Sequence, residues 1–279
     1  DTHEMLSYLS DVLPGQIKWS QRWKSPYVLY PAIFLGVVAA LGLIHFGRLW
    51  LSDRFLDAGI DNYNTKQYQT AKENLNISAW ININEPAYRM LAHVCTEIGD
   101  ENCTEDNYNK AINVDPSNDS PWYNLATHYE DRQNLDKAMQ TYRRAIKLKP
   151  NDPSTLNNIA RLYILQNNVN EAKKNLNNAE KQLNSNTDPI LVAAIFKNKG
   201  WISYKLKSYE EAKEYLKASK DMDKSIVATD CLLAQVSEGL KQPAKEYWRQ
   251  CIFLAGSDVS RPEVMNWRNS YFDSHSQEK

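Results

Sequence analysis

Glycine and surplus charge are scarce in this sequence, and each scarcity excludes a class of function. The 279-residue chain contains 9 glycines, and its formal net charge is -1. Because the glycines are dispersed, no glycine-rich phosphate-binding loop can be assembled from them. A nearly neutral chain also offers no electrostatic support for binding a polyanion. We therefore predict no nucleic-acid partner and no nucleotide site.

Catalytic and metal-binding patterns are also missing from the sequence. There is no G-x-S-x-G turn for a nucleophilic serine, and acidic pairs such as Glu210 and Glu211 fit a solvated helix face. The 5 histidines show no metal-ligand spacing and no HExxH-like pair. We predict that the chain is not an enzyme and holds no cofactor and no metal. The histidines are His3, His45, His93, His128 and His275.

One long apolar run contrasts with the mean hydropathy of -0.62. From Ser25 to Gly47 the chain has no Asp, Glu, Lys or Arg. A bilayer core of about 30 Å needs about 20 helical residues, so the run is long enough to span it. We predict a transmembrane helix over residues 25–48, preceded by an interfacial, partly amphipathic segment over residues 1–24. The alternatives for the apolar run are a buried core helix and a signal peptide. Basic and aromatic residues typical of membrane interfaces flank the run: Lys18, Trp19, Arg22, Trp23, Lys24, Tyr27, Tyr30, Arg48 and Trp50.

Two further expectations concern the predicted span. Three basic residues precede it closely and two, Arg48 and Arg54, follow it, so the positive-inside rule weakly favours a cytoplasmic N-terminus with the rest of the chain on the opposite side. Ala32, Gly36 and Ala40 form a ridge of small residues along one helix face. Such ridges allow close helix packing, so we predict homo- or hetero-association through it.

The remainder of the chain repeats itself at a spacing of 34 residues. Small residues at fixed positions let two antiparallel helices approach closely, while larger residues fill the space between neighbouring helix pairs. The pattern resembles the tetratricopeptide repeat at every signature position of residues 119–152. Equivalent positions hold Leu91, Leu125 and Ile159; Ala92, Ala126 and Ala160; and Ala111, Ala145 and Ala179.

The resemblance implies an all-α fold, in which one transmembrane helix is followed by an α-solenoid of helix-turn-helix repeats over residues 52–258. Weaker copies on both sides of the central three give about six repeats. The segment 259–279, with apolar Val264, Trp267 and Phe272, is predicted to be a capping segment and tail. The repeats are expected near residues 52–84, 85–118, 119–152, 153–186, 187–226 and 227–258.

The 4 cysteines could form two disulfides in an oxidising compartment. In the repeat register, however, Cys95 replaces an aromatic residue and Cys251 replaces an alanine, and both positions are normally buried. We therefore favour buried, unpaired thiols for these two residues.

The resemblance also implies a concave groove lined by the first helix of each repeat, which would bind a protein or peptide. Asparagine recurs there, and its amide both donates and accepts hydrogen bonds, as a peptide backbone requires; asparagine is also frequent at this position without a ligand. Tyr123, Thr127 and Asn158 stand where the chaperone-binding carboxylate clamp has Lys, Asn and Arg, which argues against chaperone C-termini. The candidate groove residues are Arg89, His93, Tyr123, Asn124, Thr127, Asn157, Asn158, Arg161, Lys197, Asn198 and Trp201.

These features together predict a membrane-anchored scaffold that binds a protein segment in its groove and tethers it at the bilayer, where its effective concentration rises. A chaperone-like assembly factor for membrane complexes would differ only in its partner. The alternative from another class is the regulatory or sensor C-terminal part of a larger membrane enzyme, such as a kinase or protease, with its catalytic domain upstream of Asp1. The chain's first residue is not Met, which motivates that alternative.

Overall fold

The computed structural model describes residues 26–254 and 261–275, and side chains within 33–254 and 261–273. Every regular element in these ranges is an α-helix, which confirms the predicted all-α class. The helices are α1 (Pro26–Asn64), α2 (Tyr68–Ile81), α3 (Glu85–Glu97), α4 (Glu101–Val114), α5 (Asp119–Asp131), α6 (Leu135–Leu148), α7 (Pro153–Leu165), α8 (Val169–Glu180), α9 (Pro189–Lys205), α10 (Tyr209–Met222), α11 (Val227–Gly239), α12 (Lys245–Phe253) and α13 (Pro262–His275).

The chain divides into two compact units: the first ends at Val94 and the second begins at Cys95, so that α3 contributes to both. Residues 1–25, which include the whole predicted segment 1–24 with its basic residues and tryptophans, lie outside the described residues, as do 255–260 and 276–279.

The turns inside the helix pairs repeat with the sequence period. Gly99, Gln133 and Asn167 lie 34 residues apart, and each adopts a left-handed backbone with φ of 75°, 61° and 60°. Lys207 and Lys241, again 34 residues apart, have φ of 61° and 57°. A left-handed residue ends a helix by turning its backbone away from the axis. The same turn therefore closes the first helix at each of these positions.

Side-chain caps mark the helix starts in the second unit. The side chains of Asn118, Asn134, Asp152, Asn168 and Asp188 each accept a hydrogen bond from a backbone N–H two or three residues later. Such caps satisfy amide groups that lack a partner within the helix. Proline occupies the first turn of both α7 and α9, where no amide hydrogen is required.

In the first unit, α1 is one continuous helix of 39 residues. Its second half pairs with α2, and Gly59 lies so close to Leu75 that a Cβ atom would come 2.5 Å from the leucine Cγ. The core beside it contains Ala71, Leu75, Leu91 and Val94. The apolar run therefore passes without a break into the first helix of the first pair.

The first half of α1 exposes its apolar side chains. By length and composition it contains a segment able to cross a membrane, and none of that apolar window is buried within the protein. A signal sequence near the N-terminus would meet the same criteria. A core helix of a soluble protein would be mostly buried, so the exposure argues against that alternative.

In the second unit, helices pair in sequence order: α5 with α6, α7 with α8, α9 with α10 and α11 with α12. The small residues at the repeat positions allow this packing, because they are fully buried. One continuous core links α7 to α11, and another joins α9, α11, α12 and α13. The buried alanines include Ala126, Ala138, Ala145, Ala160, Ala172, Ala179 and Ala212.

The expectation that Cys95 and Cys251 are unpaired thiols is wrong. Cys95 pairs with Cys103, and Cys231 pairs with Cys251, at Cα–Cα distances of 5.7 Å and 4.8 Å. Both distances lie in the range that a disulfide bridges. The repeat register correctly places Cys95 and Cys251 in the core. Burial alone, however, could not show that each has a second cysteine beside it.

The C-terminal helix α13 does more than cover the last helix pair. Val264 is buried in the core that also holds Ala193 of α9 and Cys231 of α11. From there α13 extends across earlier helices, because Trp267 meets Trp201 of α9 and Glu263 meets Arg161 of α7. This helix therefore lies along the first helices of successive pairs.

Candidate binding groove

The groove residues predicted in the second unit lie on α5, α7 and α9, the first helices of three successive pairs. Five of them are buried and four are half-buried. The buried residues are Asn157, Arg161, Lys197, Asn198 and Trp201; the half-buried residues are Tyr123, Asn124, Thr127 and Asn158. This division follows the contacts that each side chain makes.

Arg161 is the centre of a buried ionic cluster. Its guanidinium donates to Glu263 Oε1 of α13 at 2.6 Å and pairs with Glu130 of α5 as well. Only 1% of Arg161 is exposed, so its charge depends on these two carboxylates for compensation. A residue predicted to line the groove therefore holds an acid from the C-terminal helix of its own chain.

The electrostatics of this cluster favour the charged forms. Burial alone would raise the pKa of Glu263, but the charges of Arg161 and Lys197 outweigh it and hold that pKa below its ordinary value of 4.5. Burial likewise opposes the charge of Arg161, and the two glutamates outweigh this effect and raise its pKa. The cluster is accordingly an ion pair network at neutral pH.

A hydrogen-bonded chain of polar groups adjoins the cluster. Asn158 Nδ2 donates to the hydroxyl oxygen of Tyr142 at 3.0 Å and approaches that of Tyr123 at 3.3 Å. The hydroxyl of Tyr142 donates to Glu130 Oε2 at 3.1 Å. Burial raises the pKa of Tyr142 well above its ordinary value, so this tyrosine remains a donor. The network fixes the side chain of Asn158 from one side.

The groove residues of α9 contact α7 and α13. Asn198 Nδ2 donates to Asn157 Oδ1 at 2.8 Å, which joins two of the predicted asparagines to each other. The indole of Trp201 meets that of Trp267 edge-on with ring centroids 5.0 Å apart. Lys197 is 3% exposed. The amides and the tryptophan thus stabilise the stacked helices and the docking of α13.

The α5 face remains partly accessible. Tyr123, Asn124 and Thr127 are half-buried, and the hydroxyl of Thr127 donates to the backbone carbonyl of Tyr123 at 2.9 Å. Together with Asn158 they form a polar surface that we call the open groove face. This face presents a phenol, two amides and a hydroxyl, which can both donate and accept hydrogen bonds.

The other two predicted residues belong to the first unit. Arg89 Nε donates to Glu85 Oε1 at 2.8 Å, one helical turn earlier on α3. His93 faces the ring of Tyr63 with centroids 6.5 Å apart. Both side chains are half-buried. Each therefore has an identified neighbour within its own unit.

The sequence-based prediction missed two charged residues of the buried ionic cluster, Glu130 and Glu263, and placed Trp267 only in a capping segment. Glu130 occupies a position of its repeat that is expected to face the groove, so the repeat register alone could have identified it. For Glu263 and Trp267 the sequence offered weaker evidence: an acid and an aromatic residue lie four residues apart, on one face of a predicted helix. Their placement on α7 and α9 depends on where α13 folds back.

No group of three or more His, Cys, Asp or Glu suited to a metal ion occurs among the residues that the structure describes. The groove offers hydrogen bonding, ion pairing and aromatic contact. These interactions suit the recognition of a polypeptide segment.

The fold defines a helical-repeat protein. Comparison with known families makes the class specific, because three segments match the tetratricopeptide repeat: residues 120–152, 141–174 and 195–226. The chain therefore contains tetratricopeptide repeats. No curated protein matches its sequence.

Solved structures show the same fold at low sequence identity. The PilF protein of Pseudomonas aeruginosa has a TM-score of 0.64 at 16% identity, and the match covers 82% of this chain and 99% of that one. PilW, a type IV pilus biogenesis factor, has a TM-score of 0.60 at 14% identity, with coverage of 80% and 98%. The APC/C hetero-tetramer Cut9–Hcn1 has a TM-score of 0.62 at 20% identity over 78% of this chain, which spans only 42% of that chain.

Proposed function

We propose that this protein is a membrane-anchored scaffold that binds a segment of a partner protein on the open groove face. Tetratricopeptide repeats indicate a protein–protein interaction scaffold, and proteins of this family are generally not enzymes. The proposal adds a bilayer anchor, formed by the first half of α1, and a specific binding surface on α5 and α7. Tethering would confine the partner to the membrane surface.

The observation that carries the groove assignment is the docking of α13. This helix places an acid on Arg161 and an indole on Trp201, so the first-helix surface already receives a polypeptide helix of the same chain. We therefore assign Arg161, Lys197 and Trp201 to holding α13. Partner contact is assigned to Tyr123, Asn124, Thr127 and Asn158, which remain half-buried beside it.

Two independent features support the anchor and its orientation. The apolar side chains of α1 between Ile33 and Phe46 are largely exposed, as lipid contact requires. The two disulfides fit an oxidising compartment, and the basic residues favour a cytoplasmic N-terminus. Both lines of reasoning favour repeats on the non-cytoplasmic side. The structural likeness to pilus proteins concerns the fold alone.

Site-specific photo-crosslinking tests the groove. A benzoylphenylalanine would replace Tyr123, which conserves an aromatic ring, and a matched control would carry the same group at Lys174, whose side chain is 69% exposed. We expect a discrete adduct with one membrane-associated protein from position 123 and none from position 174. The same adducts from both positions, or none from position 123, would contradict the groove assignment.

Alkaline extraction and protease protection test the anchor. We expect the full chain to stay with the membrane at high pH, and the repeats in sealed, cytoplasm-out vesicles to resist added protease. Release by alkali would contradict the anchor. Digestion of the repeats in intact vesicles would contradict the proposed orientation and leave the anchor in place.

A further inference from the structure

Two large apolar side chains of the first unit are strongly exposed although they lie beyond the apolar run. Trp80, at the end of α2, is 84% exposed, and Ile83, in the turn before α3, is 68% exposed. Scattered exposed apolar residues are ordinary on protein surfaces. These two, however, are neighbours at the same end of one helix pair, and that end has a defined position relative to α1.

The register of α1 and α2 fixes this position. The hydroxyls of Ser52 and Ser78 lie 3.1 Å apart in the buried interface between the antiparallel helices. Trp50 precedes Ser52 by two residues on α1, and Trp80 follows Ser78 by two residues on α2. At a rise of about 1.5 Å per residue, both indoles start about 3 Å from the serine contact on the same side, toward the apolar half of α1.

Hydrogen bonds hold the end of α2 in this place. Arg48 Nη2 donates to the carbonyl of Ile81 at 2.7 Å, which joins the residue after the apolar run to the last turn of α2. Asn82 is extended, and Asn84 Nδ2 returns to Ser52 Oγ at 3.3 Å. The chain therefore reverses between these two asparagines, and Ile83 lies at the tip of the turn.

The distribution of charge follows the same direction. Residues 74–84 contain no Asp, Glu, Lys or Arg. On α1 the order is an uncharged run to Gly47, then Arg48 and the 65% exposed Trp50, then Asp53 and Arg54. Apolar, aromatic and charged residues thus succeed one another along the helix pair, as they do across a membrane interface.

We propose that Trp80 and Ile83, together with Trp50, form a membrane-interface patch that inserts into the headgroup layer of the bilayer. The proposal rests on the anchor proposed above and adds a second contact with lipid, made by the first repeat itself. Tryptophan is suited to this layer because its ring is apolar and its N–H can reach polar partners. With α1 and the patch both seated, the first helix pair would be held at a fixed angle to the bilayer.

Depth-dependent quenching tests the patch on the full chain. In four separate variants, an environment-sensitive fluorescent amino acid would replace Trp80, Ile83, Phe46 or Gln69. Each variant would be reconstituted in phosphatidylcholine–phosphatidylglycerol vesicles whose lipids carry a doxyl quencher near the headgroup. Phe46 is 70% exposed within the apolar run and reports the anchor. Gln69 is exposed at the opposite end of α2 and is the matched control. We expect several-fold stronger quenching at positions 80 and 83 than at position 69.

The outcomes separate the patch from the anchor. Quenching at position 46 but not at positions 80 and 83 would overturn the patch and retain the anchor, whereas no quenching at position 46 would overturn the anchor. A blue-shifted but unquenched signal at 80 and 83 would show that protein covers the patch, for example a second copy, and would overturn lipid contact. Unchanged helical content and melting temperature would confirm that each variant is folded.

Discussion

The first half of α1 and the groove helix α7 distribute their side chains in opposite ways. The apolar residues of α1 from Ile33 to Phe46 are largely exposed, while α7 buries Thr155, Asn157 and Arg161. Both are regular helices of one chain, so secondary structure does not explain the difference. The difference lies in what surrounds each helix. Within the described residues, no other helix covers the apolar window of the first half of α1, whereas α7 is covered by neighbouring helices and by α13. Burial is thus a property of the surroundings more than of the residue type.

Removal of the buried charge of Arg161 on α7 is the strongest test of this comparison. In Arg161→Met, Glu130 and Glu263 would remain buried without their cation, and we expect the free energy of unfolding of the second unit to fall by about 3 to 5 kcal/mol. Chemical denaturation monitored by circular dichroism measures this change. A triple variant that also carries Glu130→Gln and Glu263→Gln should recover much of the loss. Wild-type stability of the single variant would show that the cluster is not structural.

The Cys231–Cys251 disulfide should contribute the next largest effect. It closes a loop with a sequence separation of 20 residues, and loop closure of this size stabilises by about 3 kcal/mol. Cys231→Ser with Cys251→Ser should therefore lower the melting temperature clearly in non-reducing buffer. The wild type with reductant is the comparison; it loses both disulfides, so it should melt at or below the temperature of the variant. Equal melting of oxidised and reduced wild type would contradict a stabilising role for both disulfides.

Substitutions of two glycines test the contrast between the exposed first half of α1 and its second half, which packs against α2. In Gly59→Ala the new Cβ would overlap Leu75, and overpacking of this kind costs about 1 to 3 kcal/mol. Gly42→Ala is the matched control, because a Cβ there would meet nothing within 4 Å. Thermal unfolding in detergent should show a lower melting temperature for the first variant only. A loss of stability in the Gly42 variant would indicate that the span packs against protein.

The smallest expected effect is the pH dependence of α13 docking. Because the pKa of Glu263 is lowered in the folded state, its contribution is present above its ordinary pKa of 4.5 and is lost as pH falls through the lowered value. The near-ultraviolet circular dichroism of the Trp201–Trp267 pair should therefore change below about pH 4.5. In Glu263→Gln this acid-dependent change should be smaller, and docking should be weaker by about 1 kcal/mol at neutral pH. An identical acid transition in both proteins would exclude Glu263 as its source.

The repeat could be recognised from sequence because its determinants are local. Ala126, Ala138 and Ala145 must be small for two adjacent helices to touch, and this requirement recurs with the 34-residue period. The continuity of α1 was equally accessible, since no proline or glycine separates Arg48 from Gly59. Contacts between residues far apart in sequence were not accessible. Arg161 lies 102 residues from Glu263, and Glu263 belongs to the segment outside the predicted repeats, so the repeat pattern does not predict their contact.

The sequence by itself determined the all-α class, the repeat register and the position of the apolar run. Each follows from spacing along a helix or between adjacent helices, where the geometry is fixed by the backbone. Only the tertiary structure decided that Cys231 meets Cys251, that Arg161 is occupied by Glu263, and that Trp80 lies level with Trp50. These depend on how the chain returns on itself, and many return paths are compatible with the same local pattern.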